Sequence, residues 1–158
     1  MANTQAMCTS FMGELMTATH NFGTAPIRAA TTADTFKAAL YLVSATINAA
    51  TTVYSTTGEV TGTNYTAGGV TVTAATPPTA TNSSATAGVA FFTPSASITY
   101  TTVTLSTAFD TVLIYNSTQS NKAVSVHTFG SQTITAGTFT LTMPSNTTTT
   151  ALLRLSTT

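Results

Sequence analysis

The chain has 158 residues with four basic and four acidic side chains, so its formal net charge is zero and 5% of its residues are charged, against about 25% in an average soluble domain. Four dispersed cations, Arg28, Lys37, Lys122 and Arg154, are too few to neutralise a run of phosphates, which argues against nucleic acid as a partner. The 42 threonines and the 42% hydrophobic content argue for sheet and against disorder, because a β-branched methyl packs on a pleated surface and disordered chains are poorer in aliphatics.

The opening MANTQAMCTSFMGELM has no Lys or Arg and no apolar run of signal-peptide length, and no window of the chain approaches a membrane span. Synthesis in a cytoplasm without a signal peptide is therefore expected, with no membrane partner. One cysteine, Cys8, permits no internal disulfide and fits that compartment. Residues 5–20 carry the one strong helix pattern: Cys8, Phe11, Met12, Leu15, Met16 and Thr19 recur at helical spacing on one face. Asn3 or Thr4 would cap its start, and Asn21 with Gly23 would end it. Phe11, Met12, Leu15 and Met16 form the candidate partner-contact face, which either packs on the chain's own sheet or docks on a neighbouring subunit. Residues 1–24 are read as helix and connection and 25–158 as the β-sandwich, one domain overall.

In TFKAALYLVS from Thr35, Phe36, Ala38, Leu40 and Leu42 alternate with Lys37, Ala39, Tyr41 and Val43, a strand buried on one face and largely covered on the other. SATINAATTVYSTTGEV reads as a short helix or loop, and Gly68 with Gly69 turns the chain into a strand at 70–74. The stretch 76–88, with Pro77 and Pro78, is a surface loop, either a connection or a binding loop. Strands are predicted at 89–93, 97–105, 110–116, 122–129, 132–135, 138–143 and 151–156, with NSTQSN at 116–121 and Ala136–Gly137 as hairpin connections. Such spacing indicates an all-β, antiparallel, jelly-roll-like sandwich with one N-terminal amphipathic helix.

Groups able to do chemistry are few. Besides the tyrosines and four basic residues there are Glu14, Asp34, Glu59, Asp110, His20, His127 and Cys8. His127 and Asp110 lie in adjoining predicted strands, compatible with a Ser-His-Asp arrangement, but no GxSxG stands behind it. In KAVSVHTFG, Ala123, Ser125, His127 and Phe129 share a face opposite Lys122, Val124, Val126 and Thr128; His127 reads as a half-buried strand histidine, or else as a ligand or pH switch. His20 reads as a last-turn helix residue facing the dipole's negative end. One cysteine, two distant histidines and scattered acids make neither a zinc site nor a calcium loop, and no phosphate-cradling motif occurs, so no cofactor is expected.

TITAGTFTLTMP at 133–144 sets Thr133, Thr135, Thr138, Thr140 and Thr142 against Ile134, Phe139, Leu141 and Met143. An ice-binding or solenoid protein would repeat such a unit at a fixed period, and none is present, so the ladder is expected to be a solvent or neighbour-contacting face. LIYNSTQSNKAVSVHTFG at 113–130, TITAGTFTLTMP through ALLRLS, and TFKAALYLVSATINAATTVYSTTGEV with YTAGGVTVT resemble a family of small virion proteins of tailed bacteriophages, over nearly the whole chain. The resemblance implies a non-enzymatic structural protein of the virion, with capsid cement or decoration proteins of jelly-roll type as the most similar members. It implies as partners the major capsid protein and copies of the chain itself. Its implied alternatives are a tail, collar or fibre-associated protein. The residues also leave open a carbohydrate-binding or adhesin-like module contacting a host-surface glycan through Tyr54, Tyr65 and the 76–88 loop. Near-zero charge removes the self-repulsion that keeps monomers apart, which fits life in an assembly.

Overall fold

The computed structural model describes residues 3–16, 19, 20, 22, 33–74, 78–81 and 88–156. Asn21 and Gly23, expected to stop the helix, and most of the 76–88 loop lie outside that set. The described chain is nearly all antiparallel β, with strands β1 (Ala6–Met7), β2 (Phe36–Leu42), β3 (Val70–Val72), β4 (Thr79–Ala80), β5 (Val89–Phe92), β6 (Ile98–Asn116), β7 (Lys122–Leu141) and β8 (Leu153–Ser156). Five of them form one sheet in the order β1-β7-β6-β2-β3, and three form a second in the order β4-β5-β8.

Among the described residues helix is confined to eight, α1 (Thr9–Met16), half the expected span. The chain before it is already committed to sheet: Ala6 and Met7 pair with Val126 and Ser125, and the Cys8 N–H donates to the Val124 carbonyl. Asn3 therefore caps nothing in α1. Its side chain donates to the Leu42 carbonyl and to Asp110 Oδ1 and accepts from the Ile47 N–H, tying the start of the chain to the middle of the domain. His20 likewise lies past the helix, buried, and not in its last turn.

Alternation in β2 is realised as read. Cross-strand partners share a face, so Ala38, Ile114 and Ser125 line one side of the large sheet together with Leu40, Val112 and His127, while Ala39 and Leu113 line the other. On the first face Phe36 stacks on Phe22 at 4.3 Å between ring centroids, and Phe22 reaches Phe92 of β5 at 4.9 Å, so the small sheet and the N-terminal segment cover it. On the second face Tyr115 stacks on Tyr54 at 4.6 Å, bringing in the 43–69 segment, which is loop with isolated bridges and no helix.

The strands expected at 97–105 and 110–116 are one strand, and those expected at 122–129, 132–135 and 138–143 are also one. Ala136–Gly137 is no hairpin turn but part of a bulge. Val103 pairs with Gly137 and Leu105 with Ile134, three steps on β7 against two on β6, and Ala136 takes a φ of 46° there. The neighbouring step runs the other way, from Tyr100–Phe139 to Val103–Gly137, with Thr102 at φ 54°. The Ala136 bulge explains the change of phase in the threonine ladder: Thr133 and Thr135, then Thr138, Thr140 and Thr142, are all exposed, while Ile134, Phe139, Leu141 and Met143 are all half-buried.

This long hairpin folds back on itself. Phe129 and Phe139 stand ten positions apart in β7, about 33 Å along a straight strand, yet their ring centroids are 5.1 Å apart. Phe109 meets Phe129 at 5.9 Å and Phe139 at 5.2 Å, both edge-on. Between Leu105–Ile134 and Phe109–Gln132 the β6 side carries two extra residues, and between Phe109–Gln132 and Thr111–Thr128 the β7 side does, which gives the ribbon its bend around Gly130. A further register shift between Ile114 and Tyr115 leaves Val124 without a partner in β6, so the strict alternation read for KAVSVHTFG breaks there.

Candidate functional site

Three polar clusters gather the side chains able to do chemistry. The first joins the N-terminal segment to the β6–β7 turn. His20 Nε2 lies 2.7 Å from Glu14 Oε2, and Asn116 Nδ2 lies 3.1 Å from His20 Nδ1 and 2.8 Å from Asp34 Oδ2. Asn116 Oδ1 accepts from the Thr118 and Gln119 N–H groups, which fixes which end of the amide is the donor. His20 Nδ1 must therefore accept, and its proton sits on Nε2, donated to Glu14. A second proton on Nδ1 would face the Asn116 amide hydrogens. Burial pushes the His20 pKa down, against the pull of Glu14, so the ring is held neutral.

Glu14 also accepts from Lys122 Nζ at 2.6 Å. Burial works against its charge, but the hydrogen bonds from Lys122 and His20 outweigh it and hold the carboxyl below its ordinary range. Gln119 Nε2 donates to Asp34 Oδ1 at 3.2 Å. A histidine between a carboxylate and an amide has the look of an acid-base site, but both ring nitrogens are used and the side chain has no exposed surface. Cys8, the nearby thiol, is fully buried and pushed up to about 11 by burial, with the Glu14 charge adding, so it is a packed thiol and no nucleophile.

The second cluster is Ser125 and His127, two positions apart on one face of β7, with Ser125 Oγ 2.9 Å from His127 Nε2. Burial pushes His127 down to about 4, so its ring is neutral at pH 7. The acid considered for it is engaged elsewhere: Asp110 Oδ1 accepts from Asn3 Nδ2 and from Thr111 Oγ1, each at 2.8 Å. Adjoining strands bring Asp110 and His127 near in sequence register without making a triad.

The third cluster was not legible in the sequence. Glu59, buried, accepts at Oε1 from Tyr65 Oη and the Gly68 N–H, each at 2.7 Å, and at Oε2 from Tyr54 Oη at 2.6 Å. Tyr115 donates to the Gly68 carbonyl, Tyr100 to Ala38 and Tyr41 to Ser55, so all five tyrosine hydroxyls of the chain donate within it. Burial and then the Glu59 charge raise the phenol of Tyr115 above its ordinary range, and burial leads the same shift in Tyr54 and Tyr65. Gly68 and Gly69 take φ of 90° and 70°, and a Cβ on Gly69 would fall 1.7 Å from the Ala38 carbonyl oxygen, so the loop needs glycine here. Only the nearness of Glu59 to GTNYTAGG hints at this hub, because Tyr115 and Tyr100 come from far along the chain.

Of the expected contact face, Phe11 is buried in its own chain, edge-on to His20 and Phe22 at 4.8 and 5.8 Å. Leu15 is half-buried beside a narrow apolar concavity of about 80 Å³ shared with Phe91 and Leu155. Met12 and Met16 belong to α1, but their side chains lie outside the described residues. Tyr54 and Tyr65, expected as a glycan contact surface, are half-buried with their hydroxyls turned in on Glu59. A concavity of about 510 Å³ between 44 and 58 is lined by hydroxyls such as Ser44, Thr46, Thr52 and Thr57, with no aromatic ring on which a sugar could stack. Among the described residues no three His, Cys, Asp or Glu side chains converge as metal ligands, and no helix is long and apolar enough to cross a membrane.

The described residues form a nearly all-β antiparallel protein of two sheets in which Glu14, His20, Asp34, Glu59 and Asp110 bond to the chain itself. Comparison with known proteins finds no matching family model, no matching curated protein and no matching solved structure.

Proposed function

We propose that this chain is a non-enzymatic structural protein of a bacteriophage virion, a cement or decoration protein that binds the major capsid protein and stabilises the assembled shell. The observation that carries the reading is the distribution of charge: no Lys, Arg, Asp or Glu occurs from Ala123 to Leu153, the run that coats the folded-back ribbon and leads into β8. A surface covered with threonine and free of charge suits close packing among many copies, where self-repulsion would oppose assembly. The inward-turned use of Glu14, His20, Glu59 and the tyrosines supports a structural role for these groups in place of turnover. Stabilisation would work by mass action, since a ligand that binds only the assembled shell shifts the equilibrium toward it.

Jelly-roll connectivity belongs to the same proposal; the five-plus-three division of strands supports a sandwich-like layout, and the finer topology rests on the resemblance alone. The virion reading places the protein in the particle, without nucleic acid, membrane or cofactor as partners. Quantifying the chain against the major capsid protein in purified particles tests it. A ratio near a simple fraction of one supports cement, a ratio of a few per hundred moves the chain to the tail or collar, and absence from particles overturns the virion reading.

A further inference from the structure

Each sheet of this fold ends in edge strands, and most of them are protected. β1 and β4 have two residues each, β3 has three, and β8 has four with Arg154 among them. Short edges and edge charges are the ordinary devices against pairing with another chain. The outer edge of β7 has neither. Among the described residues its partners on that side are β1, at Ser125 and Val126, and Val53, bridged to Lys122, so from Thr128 to Leu141 no strand pairs with it. The bend at Gly130 and the Ala136 bulge interrupt this edge, which confines its regular part to Thr138–Leu141, the end of the strand, with Thr142 and Met143 following before Pro144. Those six residues, TFTLTM, combine high β-propensity with no charge and no proline.

We propose that the Thr138–Met143 edge pairs antiparallel with the same edge of a second copy of this chain, about a two-fold axis at Thr140. The choice of a second copy follows from the pattern. An uncharged edge offers a charged partner no complementarity, whereas in a two-fold antiparallel pairing centred on Thr140 the five residues 138–142 each meet one of their own kind: Thr138 faces Thr142, Phe139 faces Leu141 and Thr140 faces itself. The exposed threonine row of one copy continues into that of the other, and the half-buried apolar row does the same beneath. A register slip of one residue would set threonine against Phe139 and Leu141 and break both rows. The inference names a surface for the self-association included in the proposed function but does not depend on the virion assignment, because it concerns the isolated chain.

Sedimentation velocity on the full chain across a concentration series is the test, with Thr140→Lys as the variant and Thr57→Lys, exposed in the 43–58 loop, as the control of equal charge. The wild-type chain is expected to approach twice its 16.1 kDa mass. Thr140→Lys sets two like charges directly opposite each other and should weaken association by about tenfold or more, while Thr57→Lys leaves it unchanged. Far-UV circular dichroism checks that the variants fold, and Thr138→Lys, also exposed, repeats the test should Thr140→Lys fail to do so. A wild-type chain that stays monomeric overturns the proposal, and so does association that Thr140→Lys leaves intact. Neither outcome bears on the copy number in particles.

Discussion

At the turn end of the β6–β7 hairpin, Asn116 and Lys122 sit in a mesh of directional hydrogen bonds with Glu14, His20 and Asp34. At the bent end, Phe109, Phe129 and Phe139 meet only through ring edges and faces, beneath a coat of threonines. One hairpin is thus held by two kinds of interaction. The apolar end depends on filling volume closely; the polar end depends on each donor finding its acceptor, so a single deletion leaves a buried group unpaired. That contrast predicts how each end fails.

The largest effect should come from the apolar end. Phe109 is fully buried and touches both other rings, so Phe109→Ala removes the contact that holds the ribbon folded back. A loss of about 3–5 kcal/mol in urea unfolding is expected, the usual range for Phe→Ala in a core. A loss under about 1 kcal/mol, small for such a core deletion, would mean that the fold-back does not depend on this cluster.

Next is the polar end. Asn116→Ala strips both donors and the acceptor from a fully buried position, leaving His20 Nδ1 and two backbone N–H groups without partners. The expected cost is about 2–3 kcal/mol, from the unpaired groups more than from lost packing. Asn116→Asp sharpens the point: it keeps the acceptor but replaces the donor that faces both His20 Nδ1 and Asp34 Oδ2, inviting a proton onto the ring or between the two carboxylates. Its stability should rise relative to wild type as pH falls toward 5, in the range where a histidine titrates.

Acid should weaken the wild-type fold through both histidines. Each has its folded pKa pushed below the unfolded value, so the unfolded chain takes up protons first as pH falls. Stability is therefore full above about pH 6.5, the unfolded value, and declines below it; for His127 the decline ends near its folded value of about 4. The slope contributed by each ring is at most about 1.4 kcal/mol per pH unit. Stability measured from pH 7 to 4 should flatten in His127→Gln, and an unchanged slope in that variant would sink this account of the ring.

The two ends also differed in how well the sequence disclosed them. Alternation in β2 and in the threonine ladder gave the correct faces, because period-two burial is a local property. NSTQSN was legible as a turn for the same reason. Ala136–Gly137 misled, since a bulge and a turn use the same residue types and differ only in whether the partner strand continues. The polar mesh was illegible: Asn116 and His20 lie 96 positions apart, and nothing local distinguishes an asparagine that orients a histidine from one that starts a turn. Helix propensity over 5–20 lost to sheet pairing at Ala6 and Met7, where tertiary contacts outweighed a weak local preference.

The salt bridge beside the mesh should matter less than the amide within it. Lys122 Nζ meets Glu14 at 2.6 Å, but its side chain is 37% exposed, so water and salt screen the pair. Lys122→Met should cost about 0.5–1 kcal/mol at low ionic strength and less in high salt. A cost that salt leaves unchanged would mean that the lysine stem, and not its charge, carries the contribution.

The smallest effect belongs to the threonine coat, and it decides what that coat is for. Thr99 and Thr140 stand opposite each other with hydroxyls 3.4 Å apart, both exposed, so each hydroxyl exchanges a weak mutual contact for water when its partner is removed. A double-mutant cycle of Thr99→Ala and Thr140→Ala should therefore give a coupling of about 0.2–0.5 kcal/mol in the monomer, near the low end for cross-strand pairs. If the same cycle read by dimer dissociation gives a larger coupling than it does by monomer unfolding, the threonines act between copies, and the charge-free end of the hairpin is built for contact while the charged end is built for closure.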